Sequence, residues 1–575
     1  MNEPLRVRIF RAPKAQFLRD AELADRVYDS DALKRLADLG FNGIWVRMVF
    51  RRLLKNPKYP SFGDQEQSLP GLRRVIERGE CCGVKVYAYV QEPLGLPTND
   101  PFWNEHEELG GATYNHQDPF SFAYTPMRAF CTSTRGGQEF LVESAEQLTR
   151  QLPGLGGVIA ITASEFIAHC YSKYYPDRKR HHGDRGEESL RCARCRERHP
   201  SDVVAEVLNL IREGMDRVDQ QAPLLAWNWA WQNYEPDPQP RILNQLRSGI
   251  QVLLDFERGG YKVDPDGKVL YIDEYSLSYE GPSERFLRLK QACDFHGLEV
   301  HAKLQLGTTH EIATVSNLPL MGKLFEKINR VRNLRLAGFV GCWTFGLEPS
   351  LNLTAVNYFL SDGCPRKKES ALAALASREF PHCDPAKVLE AWQKFDEAFD
   401  YYPFSMSFLY QSPINYALSL MFVPGPLQGG AMGRSWVSEA RGDDLESSCS
   451  PFSAEVIVQR LTSLVKLWRE GLTAYQLELK GAGGTAQREL SAARAVYASV
   501  RSARNLYRLY LLKRNWNEMQ LPAFREIIRD ELETLEEAIP VYENDSRQGF
   551  HQEPFAYMVT PDLMKAKRAA LRQMM

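Results

Sequence analysis

The segment GVIAITASEFIAHC (157–170) is apolar and β-branched until it reaches Ser164-Glu165. A carboxylate delivered at the end of a strand buried on both faces is paired, caps the next helix, or projects into a cleft. Other acids hold comparable places: Glu92 in VQEP, Asp255 in IQVLLDF, Asp273 and Glu274 in YIDEYSLSYEGP, and Glu311 in TTHE. Among them fall Arg47, Trp227, Asn228, Tyr275, Lys303, Gln305 and Trp343. Two carboxylates divide the acid work from the base or nucleophile work in glycosidic bond cleavage. Aromatic faces stack on pyranose rings, and amides and cations bind hydroxyls. The catalytic candidates are therefore Glu165 with Glu274, Asp273 or Asp255, and the substrate-binding candidates are Arg47, Glu92, Trp227, Asn228, Tyr275, Lys303, Gln305, Glu311 and Trp343. Each has a plainer reading. Glu165 caps a helix, Asp273 and Glu274 pair with loop cations, Glu92 before Pro93 anchors a loop, and the tryptophans fill the core.

A second group is built from sulfur. Cys192 and Cys195 form a CxxC in RCARCRERH, Cys170 follows the Ser164-Glu165 pair, and Cys131 lies in AFCTST. Four thiolates make a tetrahedral zinc set, so Cys131, Cys170, Cys192 and Cys195 are the metal candidates, with His169, His181, His182 and His199 as substitutes. Buried free thiols are the alternative. The surrounding basic stretch, KYYPDRKRHHGDRGEESLRCARCRERH, contains enough acids to read as a solvated insertion rather than a nucleic-acid patch.

Bulk properties narrow the classes. The chain has 575 residues and a formal net charge of -2, so no overall field draws it to nucleic acid or anionic membrane. It has no apolar run long enough for a spanning helix. The opening MNEPLRVRIFRAPK has no apolar secretory core, which makes the cytoplasm the default expectation. Eleven cysteines at this length argue against a disulfide framework. G-x-S-x-G, H-E-x-x-H, GxGxxG and the phosphate-cradling GxxxxGK[ST] are all missing from the sequence, which removes the usual grounds for serine hydrolase, zincin, dinucleotide and kinase chemistry.

The elements that must position these residues alternate. Strand candidates lie at 6–10, 41–49, 84–90, 157–164, 223–231, 250–256, 298–306 and 336–346. Helical patterns separate them, among them DALKRLADLG closed by Gly40 and SDVVAEVLNLIREGMDRV with Ser201 as N-cap. Eight strand–helix units predict an α/β fold, a (β/α)8 TIM barrel over 1–370 with a Cys/His-containing insertion at about 170–200. The strand-end acids then share the catalytic rim. Residues 371–575 have helical spacing throughout and predict an all-α C-terminal domain. The Gly/Ser-rich stretch 423–450 is too long for a turn and reads as a mobile loop or one reaching the active site or a partner.

The motifs GFNGIWVRMVF, VYAYVQEP, AFCTST, GVIAITASEFIAHC, CARC, EYSLSYEGP, AKLQLGTTHE and GCWTFGLEPS resemble bacterial glycoside-hydrolase-like proteins whose barrels are similar to family 20 β-N-acetylhexosaminidases. The resemblance covers roughly residues 5–370. It implies an exo-acting glycosidase that takes an oligosaccharide or glycoconjugate, with Glu165 as general acid/base and no catalytic cofactor. The family carries Asp-Glu where this chain carries Ser164-Glu165, which leaves room for an enzyme nucleophile such as Glu274 or for a different sugar. Two rivals stay open, a non-catalytic glycan-binding barrel and a metal-dependent hydrolase using the Cys/His cluster. Self-association into a homo-oligomer also stays open.

Overall fold

The computed structural model describes residues 5–59, 64, 66–121, 123–163, 166–173, 192–436 and 442–575. Eight parallel strands close a barrel: β1 (Val7–Phe10), β2 (Gly43–Arg47), β3 (Lys85–Val90), β4 (Gly157–Ile161), β5 (Leu224–Trp227), β6 (Ile250–Asp255), β7 (Val300–Leu304) and β8 (Gly338–Gly341). Each pairs with its sequence neighbours, and β1 pairs with β8 to complete the ring. Burial on both faces explains why these segments read as continuous apolar runs instead of alternating ones. Ile44, Val46, Ala88, Val90, Leu225, Leu253 and Ala302 are all fully buried.

The sequence located every barrel strand but drew several too long. The expected 157–164 ends at Ile161, 223–231 at Trp227, and 336–346 at Gly341. Apolar composition continues past the last ladder hydrogen bond because the loops are buried too, and composition alone does not mark where pairing stops. An antiparallel sheet of Leu96–Pro97, Tyr124–Phe130 and Gly110–Gln117 follows β3, and a hairpin of Gly260–Val263 with Val269–Ile272 follows β6. Neither was expected.

Helix ends obey local rules. Asp29 caps Ser30–Asp38 by accepting the Ala32 N–H at 2.7 Å. Gly40 at φ 83° then ends that helix, its N–H reaching the Ala37 carbonyl at 2.8 Å. The expected Ser201 cap is corrected. The helix is Pro200–Asp216, with proline in its first turn, where its missing N–H costs nothing. The cap is His199, whose Nδ1 accepts the Ser201 N–H at 3.2 Å.

The chain divides into two compact units. Unit 1 is Met1–Phe256, Glu284–Lys303 and Arg335–Gly341, and unit 2 is Glu257–Ser283, Leu304–Leu334 and Cys342–Met575. Whereas the sequence reading drew one boundary near residue 370, the segments that follow β6, β7 and β8 group with the C-terminal helices. Those helices include Pro385–Asp400, Ala454–Glu478, Thr485–Arg514, Leu521–Asn544 and Pro561–Gln573. Phe395 stacks on Trp468 with centroids 4.2 Å apart, and the Trp468 indole donates to the Ala493 carbonyl at 2.8 Å. An interior indole N–H is thus paired, as burial requires. Among the described residues, no helix is long and apolar enough to cross a membrane.

Candidate functional site

In unit 1 the ends of β5, β6 and β7 bring together four of the nominated residues. Trp227 donates its indole N–H to Asp255 Oδ1 at 2.8 Å. The Asp255 N–H is 3.4 Å from Asn228 Oδ1. Lys303 is the register partner of Asp255 and holds its ammonium 5.9 Å from the Trp227 ring centroid. All four residues are buried. An indole, an amide, a carboxylate and an ammonium thus converge at the carboxyl ends of neighbouring strands, where barrels carry their chemistry.

Arg47 ends β2 and is also buried. Its guanidinium donates to Gln91 Oε1 at 3.3 Å and to the Pro119 carbonyl at 3.2 Å, and lies 4.6 Å from the Phe17 centroid. Burial lowers its pKa to about 10, which leaves it charged at neutral pH. Glu92 is corrected from the substrate-binding set. Its two oxygens accept the Phe50 N–H at 2.6 Å and the Leu94 N–H at 3.0 Å, so the carboxylate anchors loops. Ser164 and Glu165 lie outside the described residues, as do His181 and His182.

The four nominated cysteines meet. The sulfurs of Cys131, Cys170, Cys192 and Cys195 all lie within 4.8 Å of one another. Cys131 Sγ is 3.7 Å from Cys192 Sγ and 3.5 Å from Cys195 Sγ. Of the histidine substitutes, the two among the described residues, His169 and His199, are otherwise engaged. His169 Nε2 contacts the Thr162 carbonyl at 2.7 Å and its Nδ1 accepts the Tyr171 N–H at 3.1 Å, which uses both ring nitrogens. His199 is the helix cap described above.

In unit 2 Glu274 sits in a more unusual setting. It is 1% exposed, and burial pushes its pKa up to about 7 against the opposing pull of Arg258, Tyr410 and the Tyr275 amide. One oxygen accepts the Tyr275 N–H at 2.9 Å, and the other accepts the Tyr410 hydroxyl. Burial and the Glu274 charge push the Tyr410 phenol well above its usual range, so it remains a proton donor. Tyr410 belongs to the helix Met406–Gln411 and meets Trp436 edge-on at 5.1 Å and His310 at 5.3 Å. His310 in turn lies 4.6 Å from the Phe345 ring. The Gly/Ser-rich stretch therefore returns to the partner of Glu274: the Ser435 N–H donates to the Tyr410 carbonyl at 2.9 Å, which places Trp436.

The other unit 2 candidates fare differently. Asp273 has its carbonyl bound by Arg258 Nε at 3.2 Å and its carboxylate 3.7 Å from the same guanidinium, the loop-pairing arrangement. Glu311 is corrected from substrate binding. Its carboxylate takes Ser276 Oγ at 2.8 Å, the Leu277 N–H at 2.8 Å and Thr309 Oγ1 at 2.9 Å, and so clamps the segment that follows Glu274. Tyr275 is buried, and its N–H is the one that Glu274 accepts. Trp343 is half-buried, just past Cys342 at φ 60° beyond β8. Gln305 is fully buried, and its side-chain amide has no hydrogen-bond partner among the described residues.

Several residues escaped the sequence reading. Lys327 forms a fully buried ion pair with Glu257 at 2.5 Å and also donates to the Ser276 carbonyl at 2.8 Å. Tyr410, Trp436, His310 and His551 are the others. No spacing rule links Tyr410 to a glutamate 136 residues earlier. His310, His551 and Glu553 also bring ligand atoms within 4.8 Å of one another. However, His551 Nδ1 accepts the Glu553 N–H at 3.2 Å, which puts the ring proton on Nε2 and makes that nitrogen a hydrogen-bond donor, not a metal ligand.

No family model matches the chain, and no curated protein matches it. Solved structures share the fold, a (β/α)8 barrel with helical additions. A GH138 enzyme targeting pectin rhamnogalacturonan II superposes with a TM-score of 0.54 at 9% identity, over 100% of this chain and 84% of that one. A GH89 enzyme from Clostridium perfringens, solved with its substrate GlcNAc-alpha-1,4-galactose, gives 0.54 at 12% identity, over 99% of this chain and 58% of that one. The family 89 enzyme of the same organism with PUGNAc gives 0.53 at 12% identity, covering 99% and 63%. The chain thus spans about three-fifths of the length of the two family 89 chains.

Proposed function

We propose that the protein is a glycoside hydrolase that removes a sugar from a glycan terminus using carboxylate acid/base catalysis. Glu274 is the carboxylate on which the reading rests, and Glu165, which follows β4 in the sequence, is the candidate acid. The observation that carries the reading is Glu274 itself: a desolvated carboxyl held by the Tyr410 phenol and a backbone amide, with the Trp436 and His310 rings packed against Tyr410. Burying an ionisable carboxyl is costly, and carboxyls kept with such raised pKa values cluster at functional sites. With a pKa near neutrality it changes charge readily, and positive charge developing at the anomeric carbon draws it toward the anion. The Tyr410 hydrogen bond then stabilises that anion, whether it attacks the anomeric carbon or shields it. Glu165 protonates the leaving oxygen and afterwards activates water.

The finer reading is an exo-acting, β-N-acetylhexosaminidase-like specificity. The named substrates of the fold neighbours support a glycan ligand at the level of chemical class only. Incubation with aryl glycosides of N-acetylhexosamines and of neutral and acidic hexoses tests the proposal. Release of aryl alcohol by the wild type, abolished in Glu274→Gln, supports it. A glycan-binding barrel without activity would bind free sugars and release nothing. The third rival, a metal-dependent hydrolase, is disfavoured because four sulfurs close on one another and leave no ligand position for water or substrate.

A further inference from the structure

We propose that Cys131, Cys170, Cys192 and Cys195 hold one structural zinc ion. This is independent of the hydrolase reading. A tetrahedral centre with Zn–S bonds of about 2.3 Å has sulfurs about 3.8 Å apart along each edge. The Cys131–Cys192 separation of 3.7 Å and the Cys131–Cys195 separation of 3.5 Å lie close to that edge, and all four sulfurs share the same small volume. A disulfide requires about 2.05 Å, and all four cysteines are free thiols. Each is at least nine-tenths buried.

The surroundings suit thiolates. The Ala112 N–H points at Cys170 Sγ at 3.5 Å, Arg194 Nε at Cys131 Sγ at 3.4 Å, and Ser133 Oγ lies 3.3 Å from Cys195 Sγ. Donors of this kind orient metal-bound sulfur and partly offset its charge. Arg194 sits within the CxxC itself, and a divalent cation supplies most of the remaining neutralisation. Gly111 completes the cradle: a Cβ there would stand 2.3 Å from Cys170 Sγ. Only glycine lets the backbone pass that close to the sulfur.

The ligands come from three places in unit 1. Cys131 follows the strand Tyr124–Phe130, Cys170 lies in the turn after β4, and Cys192 and Cys195 lie in the lead-in to the helix Pro200–Asp216. Tyr171 reinforces the join, its hydroxyl donating to the Cys195 carbonyl at 2.7 Å. The ion therefore clips the antiparallel sheet, the segment after Glu165 and a barrel helix together. Because no open coordination position remains, its contribution is to folding and loop placement.

The test uses the full-length protein purified without chelators under reducing conditions. Elemental analysis should find close to one zinc per chain. Cobalt exchanged into the wild type should show the visible ligand-field and sulfur-to-metal charge-transfer bands of a tetrahedral tetrathiolate. Gly111→Ala, which keeps every ligand, should release zinc to a chromogenic chelator roughly 10-fold faster or more. Cys192→Ser should lower the metal content and abolish the tetrathiolate spectrum. A wild type that contains no zinc and takes up neither zinc nor cobalt would overturn the proposal. So would a cobalt spectrum free of sulfur charge transfer, or a metal content and release rate unchanged by both substitutions.

Discussion

Tyr410 donates its hydroxyl to Glu274, a carboxyl group 136 residues earlier in the chain. The pairing opposes burial: the hydrogen bond pulls the Glu274 pKa down while desolvation, the larger effect, pushes it up to about 7. Tyr410→Phe removes the downward pull. If Glu274 works as the anion, the acidic limb of the kcat/KM profile should move up by roughly one pH unit. A profile that stays in place would detach Tyr410 from the chemistry.

Glu274 should cost the protein stability. Its folded pKa of about 7 lies above the ordinary 4.5, so between those values the folded state binds the extra proton and stability falls as pH rises. Glu274→Gln removes the charge and keeps an acceptor for Tyr410, while its amide nitrogen takes the place of the oxygen that accepts the Tyr275 N–H, which offsets part of the gain. It should gain up to roughly 3 kcal/mol at pH 8 and nothing near pH 4, read by urea unfolding at both. Activity should fall on the order of 10²–10⁴-fold at the same time. A variant that is active and no more stable at pH 8 would contradict both roles.

The Glu257–Lys327 pair is fully buried, so breaking one side strands a charge. Lys327→Met should destabilise by about 3–5 kcal/mol, and adding Glu257→Gln should recover much of that. Chemical denaturation of the two single variants and the double variant completes the cycle. Additive losses would mean the pair is not coupled.

Glu165→Gln should abolish turnover of substrates with poor leaving groups and spare much of the activity on activated aryl glycosides, which need little protonation. Equal loss on both classes would argue against an acid role.

Trp436 meets Tyr410 at 5.1 Å and is only half-buried, which leaves part of its ring open to a ligand. Trp436→Ala and Trp343→Ala should each lower kcat/KM by well over an order of magnitude with the fold retained. Unchanged kinetics in either would make that indole a packing residue.

Local sequence determined the scaffold. The eight strands of the barrel and the long C-terminal helices follow from apolar runs, helical periodicity and caps such as Gly40, because those signals act within a few residues of where they are written. CxxC spacing nominated the thiol cluster, and the acid-rich YIDEYSLSYEGP nominated Glu274. Tertiary structure decided which of the nominated polar groups remain available. Glu92 and Glu311 resemble rim acids in sequence, yet both are consumed by backbone N–H groups of neighbouring loops. Tyr410, Trp436 and Lys327 carry no local mark of their partners, which lie 70 residues away for Glu257 and 136 for Glu274. A buried carboxyl takes its acidity from what desolvates it and what donates to it. Both are supplied by segments distant in the chain, so only the folded molecule fixes them.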